Sequence, residues 1–324
     1  MIKSIDRLKN SKNLLAFSAG VDSSALFFML LEKKIQFDIA LVNYGLRKES
    51  QIEEEYAKYL AKKHNLKAYI TKAPKFDNNF EKNARDFRYN FFEKIIKEKG
   101  YNNLITAHQL NDQLEWLLMR LTKGAGVVEL LGLENISQKK GYTLIRPILH
   151  LSKDELLEYL NQNNYKYFID SSNKDEKYER NYFRQNFSDK LIKRYKSGIK
   201  NSFEYLKEDK RLLLNGYREI FNYKKLYIIK LKNPNIKSRV VDIYLKKLGY
   251  LLSSAQREEL KIENSIVFGG VWAVEVKGDK IYIAPYIQKP MPKEYKEACR
   301  VAKIPPKVRG YCYNNNLNIS KIVK

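Results

Sequence analysis

The sequence has little cysteine, little histidine and no long uncharged apolar run. Its 324 residues include two cysteines, Cys299 and Cys312, and three histidines. Two cysteines so far apart exclude a disulfide framework and a four-ligand zinc site. No stretch reaches the roughly 18 uncharged apolar residues that a transmembrane helix needs. The first residues, MIKSIDRLKNSKNLLAF, also lack the apolar core and cleavage site of a signal peptide. We therefore expect a cytoplasmic protein that makes no membrane contact.

Acidic residues are scarce relative to basic ones. The chain carries 61 lysines and arginines against 37 aspartates and glutamates, a formal net charge of +24. A field of that sign attracts polyanions, nucleic acid above all. Compositional drift is a second explanation, because AT-rich coding sequence also enriches Lys, Asn, Ile and Tyr together. Charge alone predicts a nucleic-acid partner without naming the nucleic acid or the surface that binds it.

Short apolar runs alternate with amphipathic helical stretches in the first half of the chain. The pattern predicts strands at 14–17, 37–42, 67–71 and 103–107, and helices at 24–32, 51–64, 80–98 and 110–122. This alternation is typical of an α/β fold with a doubly wound parallel sheet. Ligands of such sheets lie at the carboxyl ends of the strands, where the turns into helices are.

The pattern changes after residue 150. Helices are predicted at 152–163, 184–195 and 197–217, and short apolar strands at 226–231, 266–268, 271–276 and 280–284. We therefore expect an N-terminal α/β domain over residues 1–190, a helical linker over 191–224 and a small C-terminal α+β domain over 225–324.

The turn after the first predicted strand reads Ser18-Ala19-Gly20-Val21-Asp22-Ser23. Small and hydroxyl residues between a strand and a helix form a pocket of backbone N–H groups, which suits a phosphate. Asp22 would repel phosphates unless a cation lies between them, so we predict that it helps hold Mg²⁺ against a nucleotide. An ordinary turn with Asp and Ser as helix caps is the alternative.

This turn resembles the SGGxDS loop of the PP-loop, or N-type ATP pyrophosphatase, family, with Ala19 in place of the second glycine. The resemblance implies an adenine nucleotide alpha hydrolase-like fold and cleavage of ATP between its α- and β-phosphates. It assigns ATP binding to residues 18–23, namely Ser18, Ala19, Gly20, Val21, Asp22 and Ser23. The loop should tolerate alanine unless that position needs a positive φ.

Further segments resemble the tRNA(Ile)-lysidine synthases. The stretch from Val42 to Ser50 is similar to that family's HVxHGLRxxS, with Leu41 and Tyr44 where the family has histidines. The stretch from Glu81 to Tyr89 is similar to ExxARxxRY, and Arg146-Pro147-Ile148-Leu149 to RPLL. The resemblance assigns substrate or tRNA contacts to Arg47, Glu81, Arg85, Arg88 and Arg146; a solvated charged face is the alternative for the helical group.

The fourth predicted strand leads into another family-like segment, Thr106 to Glu115, which fits GHxxDDQxET with Ala107, Asn111 and Trp116 as departures. His108 and Asp112 lie four residues apart and so share a helix face. We predict that both face the ATP loop, Asp112 as a second metal ligand with Asp22, and His108 as a proton acceptor or a metal partner. Asp22, His108 and Asp112 are the predicted catalytic residues.

Two further similarities follow, of which the second, in the C-terminal part, is the weaker. Residues 170–184 resemble the family's D-x-S/T-N-x-D…RNxxR block and assign tRNA contacts to Arg180, Asn181 and Arg184. Residues 304–309 resemble a C-terminal IPPxxR stretch, which suits a small tRNA-contacting module or a plain surface turn.

The resemblance implies an ATP- and Mg²⁺-dependent ligase. It would attach free L-lysine to C2 of the wobble cytidine of tRNA(Ile) with a CAU anticodon, through an adenylated cytidine. Three alternatives stay open: a tRNA thiolase, a non-catalytic tRNA-binding protein with a decayed site, and a small-molecule ligase. The oligomeric state is also open, with a homodimer among the options.

Overall fold

The structure is a computed structural model that describes residues 2–45, 49–76, 78–169, 179–319 and 322. The chain divides into two compact units, residues 1–207 and 208–324. The division into three parts at 190 and 224 stays a prediction. None of the helices in the described residues combines the length and apolar character that crossing a lipid bilayer requires.

The first unit contains a six-stranded sheet. Its strands are β1 (Asn13–Ala16), β2 (Phe37–Asn43), β3 (Ala68–Lys72), β4 (Asn103–Ile105), β5 (Ile136–Lys139) and β6 (Tyr142–Ile145). The strand order is β3-β2-β1-β4-β6-β5, and every pair is parallel except β5 and β6. The predicted parallel α/β fold is confirmed. The antiparallel edge strand β5 is a feature that sequence analysis missed.

The helices up to residue 215 follow the predicted alternation. They are α1 (Ile5–Leu8), α2 (Val21–Glu32), α3 (Glu49–Lys63), α4 (Phe80–Lys99), α5 (Leu110–Leu121), α6 (Val127–Leu130), α7 (Lys153–Gln162), α8 (Glu179–Phe183) and α9 (Asp189–Asn215). A π-helical turn over Arg184–Ser188 joins α8 to α9. The two predicted helices around residue 196 form the single helix α9, which kinks at Tyr195.

Alternating apolar residues on the central strands bury both faces of this sheet. On β1, Leu15 packs into a core with α2, α3 and α7, whereas Leu14 packs into a second core with α4. Successive strand residues point to opposite faces, so a strand covered on both sides must be apolar throughout. The doubly wound arrangement therefore follows from the sequence of the strands.

The chain order of the strands creates a cleft beside β1. From β1 the chain runs outward through β2 and β3, and it then crosses back to β4 on the other side of β1. Leu15 of β1 lies opposite Ile105 of β4 in parallel register. Because the connections leave in opposite directions at this point, the loops after β1 and β4 open side by side, which is where such sheets bind ligands.

The second unit is built on a five-stranded antiparallel sheet. Its strands are β7 (Tyr217–Tyr223), β8 (Leu226–Leu231), β9 (Ser265–Phe268), β10 (Trp272–Lys277) and β11 (Lys280–Pro285), in the order β7-β8-β11-β10-β9. A 3-10 turn (Pro234–Ile236) and the helices α10 (Lys237–Lys247), α11 (Ser254–Ile262), α12 (Lys293–Val301) and α13 (Pro306–Asn314) complete it. Helices α10 and α11 cover one face, and α12 and α13 cover the other. The predicted small α+β domain is thus a two-faced antiparallel sheet.

The IPPxxR-like stretch forms the start of α13, and its basic groups have structural partners. The Lys307 backbone N–H donates to the buried Glu275 carboxylate at 2.9 Å, and the Lys307 Nζ donates to the Ser265 carbonyl at 2.8 Å. A carboxylate at a helix N-terminus satisfies free N–H groups and the helix dipole. One turn later, a Cβ on Gly310 would lie 1.9 Å from the Ile287 carbonyl oxygen, so only glycine fits.

Candidate active site

The Ser18–Ser23 loop joins β1 to α2 at the edge of the cleft. Gly20 caps α2 in an extended conformation, and the helix begins at Val21. The Ser23 Oγ accepts from the Ser18 backbone N–H at 3.2 Å and lies 3.1 Å from the Ser18 Oγ. These bonds close the loop around the first turn of α2, whose N–H groups have no acceptor within the helix. The loop can therefore hold an anion.

Ala19 has the backbone conformation that favours glycine. Its φ is +59° and its side chain is fully buried. Its carbonyl accepts from the Phe168 N–H at 3.0 Å, beside a parallel bridge between Gly20 and Phe168. An L-residue pays about 1 kcal/mol in the left-handed region. The position does need a positive φ, and the packing around it holds alanine there.

Asp22 carries a carboxylate that the protein itself does not satisfy. Its Oδ1 is buried and has no hydrogen-bond partner among the described residues. Burial raises the pKa of this carboxyl to about 7, helped by the neighbouring Asp112, while Lys153 and Arg184 act in the opposite direction. A buried carboxylate of this kind gains free energy from a bound cation.

His108 follows β4 and lies half-buried across the cleft. Its Nδ1 is 3.0 Å from the Thr106 Oγ1. Burial lowers the pKa of the imidazole to about 3, and Arg146, Arg180 and Arg88 add to this, although Asp112 opposes it. The ring is therefore neutral at pH 7, and its second nitrogen is left for a ligand.

Asp112 is held by two partners. One oxygen, Oδ2, accepts from the Gln109 N–H at 2.9 Å and closes a capping box at the start of α5. The other, Oδ1, accepts from Arg180. Burial raises the pKa of Asp112, but Arg180, His108 and the Gln109 N–H outweigh it, so the net shift is downward. Asp112 is thus ionised. Its bond to the Gln109 N–H fixes the backbone at the start of α5, directly after His108.

Glu115 is a site residue that sequence reasoning missed. Its side chain is 1% exposed and accepts from the Arg180 Nε at 2.8 Å and from the Arg184 Nε at 2.7 Å. Asp112, Glu115, Arg180 and Arg184 form a network that fastens α8 and the π-helical turn onto α5. The i, i+3 spacing of the two acids and the i, i+4 spacing of the two arginines were visible signals.

This network includes Arg180 and Arg184 of the segment 170–184, for which the family resemblance predicts tRNA contacts. Arg180 and Arg184 are engaged by carboxylates, and Asn181 is buried. Burial disfavours charge on Arg180, yet Asp112 and Glu115 raise its pKa above the ordinary value. Contacts of these residues with tRNA stay a prediction. Residues 170–178 of the same block lie outside the described residues.

Asn111, a departure from the family pattern, is explained by its neighbours. Its Nδ2 donates to the Asp189 Oδ1 at 2.6 Å, and its Oδ1 accepts from the Lys153 N–H at 3.2 Å. An aspartate at 111 would set two carboxylates against each other. The amide instead joins the starts of α5, α7 and α9.

The departures at 41 and 44 also have local reasons. Leu41 is buried in the core of the first unit, where it packs as an apolar strand residue. Tyr44 donates its hydroxyl to the Ala84 carbonyl at 3.0 Å and so links the end of β2 to α4. Arg47 lies outside the described residues.

Two of the remaining predicted arginines, Arg146 and Arg88, lie near enough to His108 to act on it electrostatically, and Arg85 acts in the same way on Arg146. Arg146 is 5% exposed, and its Nη1 donates to the Glu134 carbonyl at 2.7 Å, while its Nε has no partner in the described chain. Burial lowers the pKa of Arg146, and Arg85 lowers it further. Arg85 is exposed and stacks on Tyr89 at 4.9 Å, and Glu81 is exposed one turn before it. The Arg88 charge lowers the pKa of the His108 imidazole. Burial raises the pKa of the Tyr44 hydroxyl, and the Arg88 charge opposes that rise.

Similarity to known proteins agrees with this geometry. The PP-loop domain family matches residues 1–191. A tRNA(Ile)-lysidine synthase of Campylobacter jejuni is 48% identical over 317 residues, which cover 97% of this chain and 96% of that protein. The tRNA(Ile)-lysidine synthase of Wolinella succinogenes is 43% identical and covers 95% of this chain and 94% of its own.

A solved structure shares the fold. The U34-tRNA thiolase NcsA from Methanococcus maripaludis superposes with a TM-score of 0.52 at 21% identity, covering 77% of this chain and 85% of that chain. With its Ser18–Ser23 loop at the β1–β4 cleft and its similarity along nearly the whole length, the chain belongs to the PP-loop family and, within it, to the tRNA(Ile)-lysidine synthases.

Proposed function

We propose that this protein ligates free L-lysine to C2 of the wobble cytidine of tRNA(Ile) with a CAU anticodon. ATP is consumed, and AMP and pyrophosphate are released. The product, lysidine, would change decoding from AUG to AUA. The observation that carries the proposal is the Ser18–Ser23 loop with its unsatisfied Asp22 carboxylate, in a chain that is similar to such synthases over 97% of its length.

Two chemical steps divide the reaction. In the first, the cytosine O2 forms a bond to the α-phosphorus of ATP, and the bond to the β-phosphate breaks, so pyrophosphate leaves with the electron pair. In the second, the lysine amine nitrogen forms a bond to C2, the bond from C2 to the adenylated oxygen breaks so that AMP leaves with that oxygen, and the nitrogen releases a proton to solvent. The N–H groups at the start of α2 would bind phosphate oxygens and stabilise the charge that grows on them.

A Mg²⁺ ion fits the residues of the loop. Among the described residues, no cluster of three or more histidine, cysteine or acidic side chains forms a metal centre by itself. Mg²⁺ that accompanies a nucleotide needs only one or two carboxylates, because phosphates and waters supply the other ligands. Asp22, with its unpartnered Oδ1, would hold the ion. Asp112 acts electrostatically on Asp22, and its negative charge would add to the attraction for the ion. The ion would neutralise phosphate charge during transfer.

His108 suits a binding role better than a proton-accepting role. A group with a pKa of about 3 is a weak base towards an ammonium group. The neutral ring, held at Nδ1 by Thr106, would orient a substrate or phosphate oxygen instead. The plot of kcat against pH should therefore show no titration step near pH 6.5 that belongs to His108. His108→Gln should lower kcat without changing the shape of this plot in that pH range.

Charge on the protein supports binding of tRNA. The net charge of +24 attracts the phosphate backbone, and the arginines near His108 border the cleft. The target cytidine would have to leave its stack to reach the loop, which anticodon-loop nucleotides can do. We assign the protein to the cytoplasm, where its tRNA substrate is.

One incubation tests the proposal directly. The protein is mixed with ATP, labelled lysine and total tRNA, and the digested nucleosides are analysed for lysidine while pyrophosphate release is followed. Asp22→Ala should abolish incorporation and leave tRNA binding largely intact, whereas Asp86→Ala, an exposed aspartate on α4, should change neither. Equal loss of incorporation and tRNA binding in Asp22→Ala would contradict the assigned role.

The competing functions predict other products. A thiolase would transfer sulfur, but both cysteines of this chain lie buried in the second unit, far along the sequence from the loop. A non-catalytic tRNA-binding protein would release no pyrophosphate. A small-molecule ligase would release pyrophosphate without needing tRNA.

A further inference from the structure

We propose that Lys153 provides the ammonium group that binds the triphosphate of ATP in this site. The inference rests on the proposed function only in taking ATP as the substrate. The Ser18–Ser23 loop contains no lysine or arginine of its own. Any cationic side chain that binds the triphosphate beside Mg²⁺ and the backbone N–H groups must therefore come from another element.

The start of α7 is held firmly at the cleft. The Leu110 N–H donates to the Leu151 carbonyl at 2.8 Å, and the Lys153 N–H donates to the Asn111 Oδ1 at 3.2 Å. These two bonds tie the first residue of α7 to the first turn of α5. Because α5 begins directly after β4, they set Lys153 at the carboxyl ends of the strands.

Helix α7 also packs alongside α2. Leu156 and Leu160 are buried in the same core as Ala25 and Leu26 of α2. At the far end, the Tyr159 hydroxyl donates to Glu32 at the end of α2. The two helices thus run in the same general direction, and their first turns lie at the same edge. This arrangement brings the Lys153 side chain towards the loop that precedes α2.

The Lys153 charge reaches Asp22 and is not used elsewhere. Two cations, Lys153 and Arg184, lie near enough to Asp22 to act electrostatically on its carboxylate. Its side chain is half-buried, and the described chain offers its ammonium group no hydrogen-bond or ion-pair partner. Of the two acids in the first turn of α7, Asp154 is exposed, and Glu155 is already engaged by the Ser152 N–H and by Lys200 at 2.9 Å.

A compact ammonium on a flexible stem is suited to phosphate oxygens, which it binds as a point charge. During adenylation the bond between the α- and β-phosphates breaks and negative charge moves onto pyrophosphate. An ammonium group already in contact with these oxygens would stabilise that charge in the transition state as well as in the bound nucleotide.

Calorimetric titration of Mg-ATP into the full-length protein, without tRNA or lysine, tests the assignment. Lys153→Gln should weaken ATP binding about tenfold or more, since a charge-assisted hydrogen bond contributes on that order. Affinity for AMP should change much less. Lys153→Arg should keep most of the ATP affinity, and Lys97→Gln, which removes an exposed lysine from α4, serves as the control for charge.

Turnover and tRNA binding complete the test. The kcat/KM for ATP should fall in Lys153→Gln, while the affinity for tRNA should match that of Lys97→Gln. The assignment is overturned if ATP affinity stays within about twofold of the wild type, or if tRNA affinity falls while ATP affinity does not. Failure of the wild-type protein to incorporate lysine would refute the proposed function instead, since the ATP titrations do not depend on turnover.

Discussion

Replacing Asp22 by asparagine should stabilise the metal-free protein at alkaline pH while removing its activity. In the folded protein, burial and the nearby Asp112 raise the pKa of Asp22 from 3.8 to about 7. Ionised Asp22 therefore destabilises the fold. This rise in pKa corresponds to a destabilisation of about 4 kcal/mol when Asp22 is fully ionised.

The sign of the pH dependence follows from linkage. The folded state holds the Asp22 proton more tightly than the unfolded state, so stability is greatest below pH 3.8 and falls as the pH rises towards 7. At pH 5 most of the folded protein carries protonated Asp22, whereas at pH 8 it is ionised. The free energy that asparagine adds should be about 2 to 3 kcal/mol larger at pH 8 than at pH 5.

Urea denaturation in EDTA at the two pH values measures the effect. Asp86→Asn, an exposed aspartate on α4, is the matched control and should show no such dependence. Adding Mg-ATP should reduce or reverse the stability advantage of Asp22→Asn over the wild type, because only the wild-type aspartate can bind the cation. The reasoning is refuted if Asp22→Asn is no more stable than the wild type at pH 8, or if its advantage is the same at pH 5.

Three further substitutions test the geometry around the site and in the second unit. Ala19→Val should abolish ATP binding and lower the free energy of unfolding by more than about 2 kcal/mol, because a β-branched residue is strained at φ +59° in a fully buried position. Ala19→Gly should keep ATP binding, and calorimetric titration with ATP compares the two variants. Asn111→Asp should destabilise the protein by about 2 kcal/mol at pH 7, as it puts a carboxylate in contact with Asp189, and Asp189→Asn in the same chain should restore much of the loss in urea denaturation. Gly310→Ala should destabilise the protein by at least about 2 kcal/mol in urea denaturation, since its Cβ would collide with the Ile287 carbonyl, while ATP affinity stays normal. A free energy of unfolding equal to that of the wild type would contradict the close approach.

Local pattern was enough to predict the first half of the fold. The apolar run at Leu14 and Leu15 ends in small hydroxyl residues, and that change alone indicates a strand, a phosphate-binding turn and a helix start. The boundaries of β2, β3 and α4 followed in the same way, since strands buried on both faces must be apolar and surface helices must be amphipathic. The edge hairpin of β5 and β6 was missed because its strands are short and half polar.

The sequence by itself determined the βα alternation from β1 to α5, the position of the Ser18–Ser23 turn and the family, because these depend on neighbours along the chain. Only the tertiary structure decided what each charged side chain contacts. Glu115 forms ion pairs with Arg180 and Arg184, which are more than 60 residues away along the chain. Lys153 acts electrostatically on Asp22 because hydrogen bonds hold the start of α7 against α5. Charge and burial depend on spatial neighbours, which residue type and spacing do not specify.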